Sequence, residues 1–549
     1  MNILDLKHEL LDAGLDDVEA PTDFAACLNA LGLYNSMQFV LRLSPRIHAL
    51  MDSIPNGQYD RASISGEAIQ AYSTYLHETI HWWQHIGSTS GLVLSLCYPG
   101  QTHVSMQQLI NVIAAIGPKK SLFKWAETQL LAGVPTLDPV LSQANTAVNN
   151  ALDVEFYKTF TMMPERAEVL FAHQYFESVG HCYHIAYACT LNLLADFDPN
   201  FERMPNQERW EVEFGKLGAA KHIGFYCGSP IVRPPVGLRA LYEGQARFIQ
   251  LQFLTFTTDI TCDELKKSGY FKDIYGVAFD KFLELTKAEW PAKIDSPEVA
   301  LFLLICDLSI NPTRGFPFDI GSFKDFILDV DPGTRFAVLC KAVNEKRRDL
   351  LNAIKHYSFQ EYVEVSNALC EATGYDHPMA ALEEISEWPD HLPKVAEIMK
   401  ERETFNYLRL NLPLRLIYSH FIGFCRDKYE HPEFFCWTGA WMTGVRASKQ
   451  TEDLFLRHLS LYSDRGDDDG IFARRFPDKD PEGIMRTYNS FYAGLMTYDL
   501  TRQWVLQDGP FKYDYSWLTQ RRSNEDMAGG VKKIFEHLFG SNPDSFEIL

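Results

Sequence analysis

Apolar residues return at three- and four-residue steps through residues 67–86, 105–116, 165–195, 238–256, 340–356 and 484–506. That spacing lines one face of an α-helix, and helices of this kind must bury those faces against one another. The chain is therefore expected to be mainly α. Only MQFVLRL (37–43) and RIHALM (46–51), separated by Ser44 and Pro45, read as short strands or a small hairpin. They add a small β element to the expected fold.

With 549 residues, 46% of them hydrophobic, the chain has material for a large core and for more than one packed region. The stretches 299–306 and 185–194 are too short to span a bilayer and read as buried helices, so no membrane partner is expected. Lys and Arg number 51 against 72 Asp and Glu, a formal charge of −21. Such a surface repels phosphate backbones, so nucleic acid is not an expected partner. The basic doublets Lys119-Lys120, Arg474-Arg475, Arg521-Arg522 and Lys532-Lys533, and the acidic run DRGDDDG (464–470), read as solvated surface. The eleven cysteines include no Cys-x-x-Cys pair, and MNILDLKHELLDAGLDDVEA has the pattern of a helix rather than a signal peptide. A reducing, cytoplasmic setting is expected.

The segment SGEAIQAYSTYLHETIHWWQHIGSTSG (65–91) carries the chemistry. Ser65 reads as an N-cap, Glu67 suits the first turn, and Gly87 marks the end. Ile69, Tyr72, Leu76, Ile80 and Trp83 form a core-facing stripe. Four positions apart, His77 and His81 project from one side of the helix, where two imidazoles can hold one small cation. Glu78 follows next around the helix, placed to take a proton from an attacking water. His85 continues the series, but a helix rises roughly 6 Å per four residues, too far for three imidazoles to share one ion comfortably.

A third ligand has to come from elsewhere, and Glu243 in PVGLRALYEGQARFIQLQF (235–253) is the candidate, on a second amphipathic helix. Arg239 and Arg247 flank it at four-residue steps, so an ordinary ion pair on the helix surface is the alternative. With HETIH (77–81) and EGQA (243–246), the chain resembles the gluzincin branch of zinc metallopeptidases, in which a Glu on a second helix, often within EGxA, completes the HExxH site. The resemblance implies Zn2+ bound by His77, His81 and Glu243, Glu78 as catalytic base, and hydrolysis of a peptide or protein substrate. It also implies that residues 37–51 supply the sheet edge on which an extended peptide lies.

The long segment between His81 and Glu243 departs from many gluzincins and must fold away from the site as an insertion. Within it, FESVGHCYHIAYACTLNLL (176–194) places Glu177, His181 and His184 on an otherwise apolar helix. Polar groups there need partners, and His181, His184 or Tyr183 facing the metal would supply a transition-state donor. Bonds from these histidines to backbone or to Glu177 are the alternative. Tyr242, beside Glu243, is a weaker candidate for the same role. Residues 1–260 are thus expected to form a zincin-like catalytic region, and 261–549 a helical region with no assigned role, able to receive a regulatory protein partner.

Two other functions fit parts of the pattern. Glu78-Thr-Ile-His81 is also the ExxH half-motif of di-iron carboxylate oxidoreductases, although the nearest second copy, Glu177 to His181, is out of register. A non-enzymatic interaction protein would instead close the metal with a fourth protein ligand, for which His85, His181 and His184 are available.

Overall fold

The helix expected over 67–86 runs from Gly66 to Gly87 (α2) in the computed structural model, which describes residues 39–54, 64–258, 260–468, 470–476, 478–515, 518 and 523–549. Ser65 caps it by accepting from the Ala68 amide at 3.1 Å, and Glu67 lies in the first turn. Its end has a steric reason. A Cβ on Gly87 would lie 2.3 Å from the Phe424 ring, so only glycine lets the helix Leu412–Glu430 cross at that point. Ser88 then caps Thr89–Ile116 (α3), which turns back beside α2. The N-terminal helix expected within the first twenty residues lies outside the described residues.

α3 packs on Pro139–Met162 (α4) and Val179–Leu194 (α5), which also pack on each other, and these three form one wall of the molecule. α2 packs on α3 of that wall and on Leu238–Thr257 (α6), and Ile274–Thr286 (α7) packs on α6. The helix Pro297–Ile310 (α8) is buried from Val299 onward, as its largely apolar sequence requires. Leu412–Glu430 (α9) packs on α2 and on Pro481–Leu506 (α10), which reaches back to α3 and α4. One cluster of buried apolar side chains runs from Phe39 to Phe546, and it has no break near residue 260. Trp83 shows the continuity in detail: its indole N–H donates to the His458 carbonyl at 2.8 Å, and its ring packs against Phe424, Phe434, Phe435 and Phe455.

The fold is mainly α with a small β part, but the strands are not where the sequence suggested. RIHALM is helical, within Pro45–Asp52 (α1), because Ser44 accepts from the Ile47 amide and Pro45 fits the first helical position. From 39 to 43 only Leu41 makes a bridge, parallel to Ser463. The described strands are β1 (Lys119–Lys120) and β4 (Glu547–Ile548), paired in parallel, and β2 (Tyr462–Ser463) and β3 (Phe472–Ala473), paired antiparallel. None of them forms a sheet edge along α2, so over the described residues 39–51 the expected peptide-binding edge is not formed.

Two surface readings are also corrected. Lys120 is fully buried, and its ammonium donates to the carbonyls of Gln507 at 2.9 Å and Gly509 at 2.6 Å. Asp464, expected in a solvated loop, is buried and accepts from the Leu43 amide at 2.9 Å, with His48 Nε2 2.7 Å away. Both charges went inside because distant backbone groups supply their partners. The non-helical stretch 172–178, between the short helix Glu168–Phe171 and Val179–Leu194, and the 3-10 turn Arg348–Asn352 break two of the expected long helices into shorter ones. Among the described residues the cysteines are unpaired thiols, and no helix is long and apolar enough to cross a membrane.

Candidate metal centre

Every residue in the centre comes from two helices packed face to face. α2 presents His77 and His81 one turn apart, and α6 brings Glu243 against them. The Nε2 atoms of His77 and His81 are 3.1 Å apart. Oε2 of Glu243 stands 3.5 Å from the first and 3.3 Å from the second. The three side chains are buried, at 1%, 6% and 5% exposure for His77, His81 and Glu243, and they are the one such converging group among the described residues.

This triangle can be tested against what a metal needs. Ligand atoms held about 2.0–2.1 Å from a tetrahedral centre stand about 3.3 Å from one another, close to all three observed edges. A charge-assisted hydrogen bond between imidazolium and carboxylate is shorter, about 2.7–2.9 Å. The two contacts to Glu243 are thus long for ion pairs and suitable for coordination, and the donor set fits a small divalent cation. Glu243 faces both histidines across the helix interface.

Electrostatics agree with that pairing. Burial pushes the His81 imidazole down, yet the Glu243 carboxylate outweighs it, with help from Glu78 and Gln84, and holds His81 up at about 9. Burial likewise works against the charged form of Glu243, but His81 and His77 hold its carboxyl well below the usual range. The pocket therefore has positive and negative character concentrated on one point. Glu78 is 7% exposed and close enough to contribute to the His81 shift.

The structure does not bring the other candidates to the triad. His181 Nδ1 lies 3.1 Å from Asp153 and its Nε2 3.8 Å from Glu177, so this imidazole faces two carboxylates away from the triad. His184 packs against Phe214 at 4.8 Å between ring centres. Burial and the neighbouring His181 pull its pKa down to about 4. Tyr183 donates to Asp331 at 2.5 Å. Tyr242 braces the end of α2: its hydroxyl donates to the Gln84 carbonyl at 3.3 Å, and its ring meets His85 edge-on at 5.0 Å. On α5 the apolar wall explains the placement, because that helix faces α3 and α4.

Two further residues touch the ligand histidines. Gln84 accepts at Oε1 from His81 Nδ1, 2.8 Å away. Tyr275, at the start of α7, sets its ring against His77 at 5.8 Å, with the Arg247 guanidinium 3.9 Å above its face. The position of Gln84 three residues after His81 could have suggested the first contact, whereas nothing in the sequence joins Tyr275 to His77. No family profile, no curated protein and no solved structure matches this chain.

Proposed function

We propose that the protein is a zinc-dependent hydrolase, a metallopeptidase acting on a peptide or protein substrate, with the ion held by His77, His81 and Glu243 and Glu78 as general base. The observation that carries this reading is the triangle of three ligand atoms, with edges of 3.1, 3.3 and 3.5 Å, on the helix that also bears Glu78. Two nitrogens and one carboxylate oxygen form a donor set that suits zinc. When bound, zinc supplies a Lewis acid that polarises a carbonyl and lowers the pKa of water toward neutrality.

The chain's own residues divide the remaining work. Glu78 takes the proton of the attacking water and passes it to the leaving amine. Glu243 sets the charge of the site, since one carboxylate and two neutral imidazoles leave a divalent ion with net positive charge. None of these four side chains is more than 7% exposed, so a bound ion would be held away from bulk water. Catalysis is favoured over a structural role because neither His85, His181 nor His184 joins the converging group as a fourth ligand. The di-iron alternative has less support, since no second group of converging ligands occurs among the described residues.

The test is elemental analysis and peptide hydrolysis on wild type beside Glu78→Gln and His77→Ala. The expected result is near one zinc per chain in wild type and Glu78→Gln, with hydrolysis reduced about 10²–10⁴-fold in the latter, and loss of both in His77→Ala. Zinc without cleavage of any member of a broad peptide library, or full activity in Glu78→Gln, would defeat the proposal.

A further inference from the structure

We infer that Gln84 is the positioning residue of the metal centre, fixing the orientation of His81 and tying it to the helix that carries Glu243. The inference rests on the triad holding an ion. Its own basis is a set of hydrogen bonds whose directions can be assigned. The Tyr242 carbonyl can only accept, and Gln84 Nε2 lies 2.9 Å from it, so the amide nitrogen of Gln84 faces α6. The second N–H of that nitrogen points to Gln245 Oε1, also at 2.9 Å. Gln84 Oε1 is then left for His81, and it accepts from Nδ1 at 2.8 Å. His81 Nδ1 therefore carries a hydrogen, and its Nε2 is turned toward His77 and Glu243.

The same side chain spans both ligand-bearing helices. It sits three residues after His81 on α2, and its two donated bonds end on the residue before Glu243 and on the residue two beyond it. Gln84 and Gln245 are both buried, so water does not compete for these bonds. A shift of α6 relative to α2 would break them, and the His81–Glu243 edge of the triangle would change with them. Gln84 is neutral. A carboxylate in its place would orient His81 equally well but would add negative charge behind the ligand and weaken the ion's pull on a carbonyl.

Residue 84 also borders a cavity of about 30 Å³ shared with Ser88, Asn311 and Lys428, which gives a replacement side chain room to settle. The experiment is a competition titration of the full-length protein with zinc and with cobalt(II), on wild type, Gln84→Met and Gln84→Glu, with circular dichroism of each metal-free form. The expected result is a roughly 10–100-fold weaker affinity and an altered visible cobalt spectrum in Gln84→Met. Gln84→Glu still accepts from Nδ1 but cannot donate to the Tyr242 carbonyl, so it recovers only the share of affinity that depends on the bond to His81. Should Gln84→Met fail to fold, Gln84→Asn, too short to reach Nδ1, is read with the same expectation. Wild-type affinity and spectrum in Gln84→Met, or equal losses in the Met and Glu variants, would overturn the positioning role while leaving the metal site intact. A wild-type protein that binds neither ion would overturn the site itself and the role together.

Discussion

Oε2 of Glu243 lies 3.3 Å from Nε2 of His81, although the chain builds α3, α4 and α5 between the two residues. The intervening helices do not interrupt the site because they pack as a wall on one side of α2. The insertion that the sequence spacing demanded is thus accommodated by a layer, and α6 returns to pack on α2. The site is a product of two helices in register, and either can be weakened separately.

Replacing Glu243 by Gln keeps the size of the side chain and removes its charge. The expected outcome is a loss of zinc affinity of about 100-fold or more, since a neutral amide is a much weaker zinc ligand than a carboxylate. Competition against a chromophoric chelator measures it. Unchanged affinity would remove Glu243 from the ligand set.

Trp83 joins α2 to the C-terminal half through its ring contacts and its bond to the His458 carbonyl. Trp83→Ala should lower stability by about 3–5 kcal/mol, the usual result of emptying a large aromatic site. If the continuous core is one cooperative unit, tryptophan fluorescence and far-ultraviolet dichroism should report the same shifted transition. Two separated transitions would instead divide the chain into independent halves.

The elements that could be read from the sequence are those fixed by short-range signals. α2 was legible because Ser65, Glu67 and Gly87 mark its ends and its stripe has helical period. Glu243 was legible only through a motif, because nothing local distinguishes a carboxylate facing histidines from one facing Arg247. The apolar composition of 46–51 points to a strand, but Ser44 supplies an N-cap and Pro45 a first helical position, and the helix forms. Lys120 and Asp464 show a different limit. Burial of a charge depends on partners supplied by remote backbone, here Gln507, Gly509 and Leu43, and no window of sequence contains them. Gln84 lay in plain view beside the motif, but its role depends on the carbonyl of Tyr242 across the helix interface.

Asp464 holds residues 39–54 in place, because Leu41, Leu43 and Ile47 form with Ala71 a small cluster apart from the main core. Asp464→Ala leaves the Leu43 amide without its acceptor, a loss of about 1–3 kcal/mol. The loss should appear locally. Hydrogen exchange is expected to accelerate across 39–52 while α2, α6 and α8 keep wild-type protection. Uniform acceleration over all helices would mean that the segment is part of the global core after all.

His184 makes stability depend on pH in a direction that can be worked out. Burial first, and the charge of His181 second, pull its folded pKa down to about 4, whereas an unfolded histidine titrates near 6.5. Between those values the unfolded chain binds the extra proton, so stability falls as pH drops through 6.5 toward 4 and is fully recovered above about 7. From pH 7 to pH 5 this one group accounts for a loss of about 2 kcal/mol. Because the ring packs against Phe214, and Trp210 lies beside it, His184→Phe should be accommodated and should remove that share of the acid sensitivity. Urea unfolding of both proteins at pH 7 and pH 5 is the measurement. Identical pH slopes in the two proteins would show that His184 is already free to take up its proton in the folded state.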